Sequence, residues 1–130
     1  MENRKVITYG TFDCLHYGHI NLLRRAKELG SYLIVGVSSD DFNQLKGKQA
    51  IQSLPKRIEL LEGIRYIDEI IVEESWEQKR KDIVDLKVEI FTIGDDWKGE
   101  FDDLSDICNV HYLPRTEDIS STEIRKILMK

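Results

Sequence analysis

Short apolar runs rich in β-branched residues occur at positions 6–9, 32–37, 69–72, 90–93 and 110–113, with stretches of helical periodicity between them. This alternation restricts the fold more than any other feature of the chain. Apolar runs of this length suit strands buried on both faces. Strand and helix in turn require a parallel sheet with crossover helices above and below it. The expectation is an α/β, doubly wound sheet of five parallel strands in a single domain over residues 1–130.

The helical stretches carry their own punctuation. Ile20, Leu22, Leu23, Ala26 and Leu29 form one stripe over 20–29, ended by Gly30. Pro55 stands in a first-turn position ahead of Ile58, Leu60, Leu61 and Ile64. Trp76, Ile83, Val84 and Leu86 mark a third, less regular helix. A last helix is expected from Ser120, with Ile124, Ile127 and Leu128 as its apolar face and Ser120 and Glu123 as a capping box. Sheets of this kind bind ligands beyond the carboxyl ends of their strands. Segments 11–19, 38–41, 94–97 and 115–121 fall there.

The first of those segments contains His16-Tyr17-Gly18-His19, where a strand gives way to a helix. Backbone N–H groups and the positive end of a helix meet there and favour a phosphate. Gly10 and Gly18 let the backbone approach a ligand closely. Thr11 and Asp13 are capping residue types near the helix start. Two imidazoles three positions apart share one helix face and can donate to phosphate oxygens.

Charge narrows the choice of ligand. With 24 acidic and 19 basic residues the net charge is −5, which excludes general nucleic-acid binding. An anionic ligand must be met by a few placed cations. The densest basic cluster, residues 79–81, reads as a solvated helix face. Cys14 and Cys108 lack metal-ligand spacing, and Cys14 reads as an apolar filler rather than a nucleophile. No apolar stretch is long enough for membrane insertion and no leader is evident, so a cytoplasmic protein with reduced thiols is expected.

Val6-Ile7-Thr8-Tyr9-Gly10-Thr11-Phe12-Asp13, followed by His16-Tyr17-Gly18-His19, resembles the opening of the cytidylyltransferase branch of the nucleotidylyltransferase superfamily. The similarity continues through Asp40-Asp41-Phe42-Asn43, Lys46 and Lys48, Arg57, and Ile64-Arg65-Tyr66-Ile67-Asp68-Glu69. It resumes at Gly94-Asp95-Asp96-Trp97 and closes at Arg115-Thr116-Glu117-Asp118-Ile119-Ser120-Ser121-Thr122. The resemblance implies a Rossmann-like fold and transfer of a cytidylyl group from CTP to a small phosphomonoester, with glycerol 3-phosphate the first candidate. The acceptor phosphate attacks the α-phosphorus in line and pyrophosphate leaves. Such a reaction asks for positioning and charge stabilisation, and an anionic acceptor needs no general base. Three other readings stay open: another phosphorylated acceptor used in capsule or wall decoration, ATP-dependent adenylyl transfer, and a nucleotide-binding module without turnover.

The same resemblance implies roles for single residues. His16 and His19 contact the triphosphate, and Lys46 reaches the α-phosphate and the acceptor. Arg115 and the N-terminus of the last helix cradle the outer phosphates, with hydroxyls from Thr116, Ser120 and Ser121. Gly10, Thr11, Phe12 and Gly18 line the nucleotide loop, and Asp96 accepts from the ribose or the base. Mg2+ arrives with CTP, and Asp13 holds either that ion or the neighbouring loop. Arg57 and Arg65, on the helix that starts near Pro55, contact the acceptor or shape the site, and Arg65 to Asp68 form the contact of a homodimer. Asp118 departs from the family, which has Gly there, and puts a negative charge near the expected phosphate site.

Overall fold

The computed structural model describes residues 4–114. Arg115, Thr116, Asp118, Ser120 and Ser121, with the expected closing helix, lie outside the described residues. In chain order the elements are β1 (Lys5–Gly10), α1 (Tyr17–Glu28), β2 (Tyr32–Ser38), α2 (Asp40–Leu45), α3 (Leu54–Glu62), β3 (Glu69–Glu73), α4 (Gln78–Asp85), β4 (Ile90–Gly94) and β5 (Asn109–Leu113). Two short 3-10 turns, Asp95–Trp97 and Asp102–Asp106, lie between β4 and β5. All strand pairs are parallel, in the order β3-β2-β1-β4-β5. The chain therefore reverses its direction of winding between β1 and β4, which places the switch point at their carboxyl ends.

Side-chain alternation divides the core in two. Val6, Leu33, Val35 and Val37 face one layer with Leu23 and Ala26 of α1 and Leu61 of α3. Ile7, Tyr9, Ile34, Phe91 and Ile93 face the other, with Ile83 of α4 and Phe101 and Leu104 from the 3-10 region. Helices thus cover both faces, as the uninterrupted apolar strands require.

Every strand starts and ends within one residue of the expected limits. The helices differ more. α1 begins at Tyr17, three residues before Ile20. α2 forms where no helix is expected, Trp76 lies before α4, and Arg65 lies beyond the end of α3.

Candidate active site

The loop from β1 to α1 is held in an unusual backbone path. Phe12 and Cys14 both sit in the left-handed region, with φ of 52° and 51°. Bulky residues rarely adopt it, and such strain concentrates at functional sites. Phe12 turns its ring inward, where it is 4% exposed. A Cβ on Gly10 would come within 3.0 Å of that ring, so glycine here makes room for Phe12. The Phe12 side chain is part of the core.

Asp13 faces the loop that follows α2. Its Oδ2 accepts from the Ile51 N–H at 2.8 Å and its Oδ1 from the Gln52 N–H at 3.0 Å. The carboxylate, 4% exposed, therefore holds the loop that follows α2. Gln52 returns a bond, its Oε1 accepting from the Cys14 N–H at 3.0 Å. Thr11 donates to Asn43 Oδ1 at 3.0 Å, and the buried Asn43 Nδ2 has no hydrogen-bond partner.

The cap of α1 is His16, rather than Thr11 or Asp13. His16 Nδ1 accepts from the Gly18 N–H at 3.0 Å, and His19 Nδ1 accepts from the His16 N–H at 3.3 Å. The pair makes a capping box in which imidazoles replace the usual hydroxyl and carboxyl groups. With Nδ1 an acceptor in both rings, the proton of each neutral imidazole sits on Nε2. The ring centroids are 4.1 Å apart. Burial holds the His16 imidazole below its ordinary value. Burial, and then the neighbouring His16, hold His19 down to about 4. At neutral pH both are uncharged Nε2–H donors, fixed in orientation by the helix they cap.

Beside the loop lies a small cavity of about 40 Å³, bordered by Gly10, Thr11, Lys46, Lys48, Glu73 and Lys79 among others. Lys46 Nζ donates to Ser38 Oγ at 2.8 Å and stands 4.8 Å from the Phe42 ring centre. Burial and the nearby Lys48 lower its ammonium to about 8. Lys48 lies over Trp97 at 5.7 Å. Lys79 is 4% exposed, which corrects its reading as part of a solvated basic face. Its neighbours Arg80 and Lys81 do have exposed side chains. Trp76, Glu73 and Lys79 were not singled out for this site from sequence. The apolar Trp76 within an irregular helical pattern is the one signal that pointed toward it.

The remaining expectations divide. Gly18 lies in the first turn of α1, and its N–H serves the His16 cap. Asp96 is exposed in the 3-10 turn after β4, at the carboxyl end of the sheet. Arg57, expected either to contact the acceptor or to shape the site, lies enclosed beneath the loops. It is 0% exposed, with Nε donating to Gln52 O at 3.0 Å. Its Nη1 donates to Thr11 O at 2.9 Å and Ser38 O at 2.8 Å, and its Nη2 to Asp40 Oδ1 at 2.7 Å. It ties the loops of the site together from beneath. Arg65 is exposed in the loop that enters β3, at the amino ends of the strands, and stacks on Tyr66. That is the opposite end of the sheet from His16 and Lys46, so Arg65 does not line this site within one chain.

Residues 7–127 match the cytidylyltransferase-like family. The chain is 58% identical over 123 residues to glycerol-3-phosphate cytidylyltransferase of Bacillus subtilis, covering 95% of each chain. It is 35% identical over 108 residues to ethanolamine-phosphate cytidylyltransferase of Arabidopsis thaliana, covering 78% of this chain and 26% of that one. A solved lipopolysaccharide core biosynthesis protein of Thermoplasma volcanium superposes with a TM-score of 0.77 at 26% identity, over 89% of this chain and 100% of that one.

Proposed function

This chain belongs to the cytidylyltransferase-like family, and from that membership we propose that it transfers a cytidylyl group from CTP to glycerol 3-phosphate. The products are CDP-glycerol and pyrophosphate. The observation that carries the reading is the capping box of His16 and His19, two neutral Nε2–H donors at a helix N-terminus near the switch point. Donors held this way stabilise charge that grows on phosphate oxygens without having to reorganise. The resemblance adds Arg115, Thr116, Ser120 and Ser121 to the triphosphate cradle and Asp96 to the ribose or base. The 58% identity to the glycerol enzyme favours CTP and glycerol 3-phosphate over the alternatives.

Among the described residues no group of three His, Cys, Asp or Glu side chains is placed to hold a metal ion. Asp13 has both oxygens on backbone N–H groups. In this reading Mg2+ enters with CTP and screens its phosphates. No described helix is long and apolar enough to cross a membrane. Arg65 and Tyr66, at the far end of the sheet, fit the contact of a homodimer over a single domain of residues 1–130. Light scattering should then give twice the 15.2 kDa chain mass, and a monomer mass at micromolar concentration would refute it.

Pyrophosphate release from CTP, ATP, GTP and UTP, against a panel of phosphorylated acceptors, tests the function. The pair CTP and glycerol 3-phosphate should be fastest. Faster release with ATP would make the chain an adenylyltransferase. Thermal stabilisation by CTP without release on any acceptor would make it a binding module.

Lys46 sets an expected pH dependence. The free protein loses this charge as pH rises through about 8, whereas a phosphomonoester gains its second charge near pH ~6. The acceptor kcat/KM should be bell-shaped between those limbs. Lys46→Arg, charged throughout, should abolish the basic limb. A parent profile flat well above pH ~8 would separate Lys46 from the acceptor.

A further inference from the structure

Lys79 holds its ammonium inside a ring of aromatic side chains. Its Nζ lies 4.8 Å from the ring centre of Trp76, 4.9 Å from Tyr9, 5.1 Å from Phe101 and 5.8 Å from Phe42. Gly36 admits the Tyr9 ring, since a Cβ there would lie 2.4 Å from Tyr9 Cδ2. Inside the ring Lys79 pairs with Glu73, and their side chains are 4% and 1% exposed. A buried ion pair is weak support for stability, because desolvation offsets its attraction. Its position points elsewhere. Glu73 ends β3, at the carboxyl edge of the sheet. Lys79 forms part of the wall between the small cavity that holds Lys46 and a larger cleft of about 670 Å³.

A cage of aromatic faces is the arrangement that captures a ligand ammonium. Here a side chain of the protein already fills it. We propose that Lys79, neutralised by Glu73, occupies the place in the acceptor pocket that a substrate ammonium would take, so that the chain selects polyol phosphates and rejects aminoalcohol phosphates. This rests on the proposed cytidylyl transfer. The relatives named above differ in this respect: one is named for glycerol phosphate and the other for ethanolamine phosphate. The two acceptors share a phosphate and differ at the other end, where one has hydroxyls and the other an ammonium.

The charges around the cavity fit the first. Lys46, Lys48 and Lys79 set three ammonium groups against the single carboxylate of Glu73. That excess suits a phosphate dianion with no positive charge of its own. Hydroxyls can donate to Glu73 and accept from Lys79. A second ammonium would find Glu73 already paired and Lys79 repelling it. An ammonium desolvated beside that pair, with no carboxylate of its own, is disfavoured by roughly 10²-fold.

The test measures kcat/KM for glycerol 3-phosphate and for ethanolamine phosphate, with saturating CTP, on the full chain. The parent should prefer glycerol 3-phosphate by roughly 10²-fold or more. Lys79→Met removes the ammonium from the cage and leaves Glu73 able to pair with a ligand ammonium. It should raise kcat/KM for ethanolamine phosphate at least ~10-fold and erase most of the preference. The double variant Lys79→Met/Glu73→Gln buries no charge and keeps the volume, so it should remain folded even where the single variant is unstable. It should lose at least ~10-fold of the preference without the single variant's gain on ethanolamine phosphate. A parent that uses both acceptors within ~10-fold, or a folded variant that keeps the parent ratio, overturns the proposal. A parent inactive on every acceptor instead overturns the cytidylyl-transfer reading, and this inference with it.

Discussion

His16→Ala and His19→Ala should each lower turnover by roughly 10²–10³, the cost of removing one preorganised donor from a developing oxyanion. Alanine confounds two losses, because each imidazole also satisfies a backbone N–H at the start of α1. Losing a cap costs about 1 kcal/mol of stability. His16→Ser and His19→Gln separate them. Serine is a favoured N-cap, and glutamine at the third helical position completes a capping box. Both variants should stay within about 0.5 kcal/mol of the parent in urea unfolding. His16→Ser should still lose turnover to the same extent as His16→Ala. His19→Gln retains an N–H donor at the end of a longer, looser side chain and should fall between parent and alanine. Rapid-quench or steady-state pyrophosphate release with saturating substrates reads the effect. A His16→Ser protein with parental turnover would reduce His16 to a helix cap.

Much of this site is legible in sequence because the strands are. The central strands β2, β1 and β4 are buried on both faces, the edge strands β3 and β5 only in part, yet all carry short apolar runs that mark their limits, and the strand ends carry Gly10, Ser38, Glu73 and Gly94 to one edge. The histidine pair is visible for the same reason, as it directly follows β1. What sequence does not show is where a polar side chain goes once the chain has folded. α2 has six residues and no apolar stripe; Leu45 in it is 78% exposed. Its signals were local: Ser39 accepts from the Phe42 N–H, and Asp40 and Asp41 fill the first turn. Lys79 stands within a run of basic residues, and nothing local distinguishes it from Arg80 and Lys81. Its burial arises from rings on β1, α2, and the segments before α4 and after β4, far apart in sequence. Asp13 likewise resembles a cap for the helix that follows, yet its partners are Ile51 and Gln52.

Arg57 is the extreme case, because a helical arginine ordinarily reads as a surface charge. Arg57→Met should destabilise the fold by roughly 3–5 kcal/mol in urea or thermal unfolding. The ion pair with Asp40 contributes little of that, since Asp40 has 57% of its side chain exposed. The cost comes from the carbonyls of Thr11, Ser38 and Gln52, which lose a charged donor in a place where Arg57 is 0% exposed. Arg57→Lys should recover only part of it, because one ammonium cannot span three carbonyls held by a planar fork. The functional effect should pass through the same bonds. Thr11 belongs to the phosphate loop, and Ser38 accepts from Lys46 Nζ at 2.8 Å. Loosening both carbonyls displaces the loop and the lysine together, so KM for nucleotide and acceptor should rise together in whatever fraction of the variant remains folded. An arginine that bound ligand directly would behave in the opposite way, losing affinity while the fold kept its stability. An Arg57→Met protein within about 1 kcal/mol of the parent, with weakened acceptor binding alone, would therefore return Arg57 to the substrate and remove it from the scaffold.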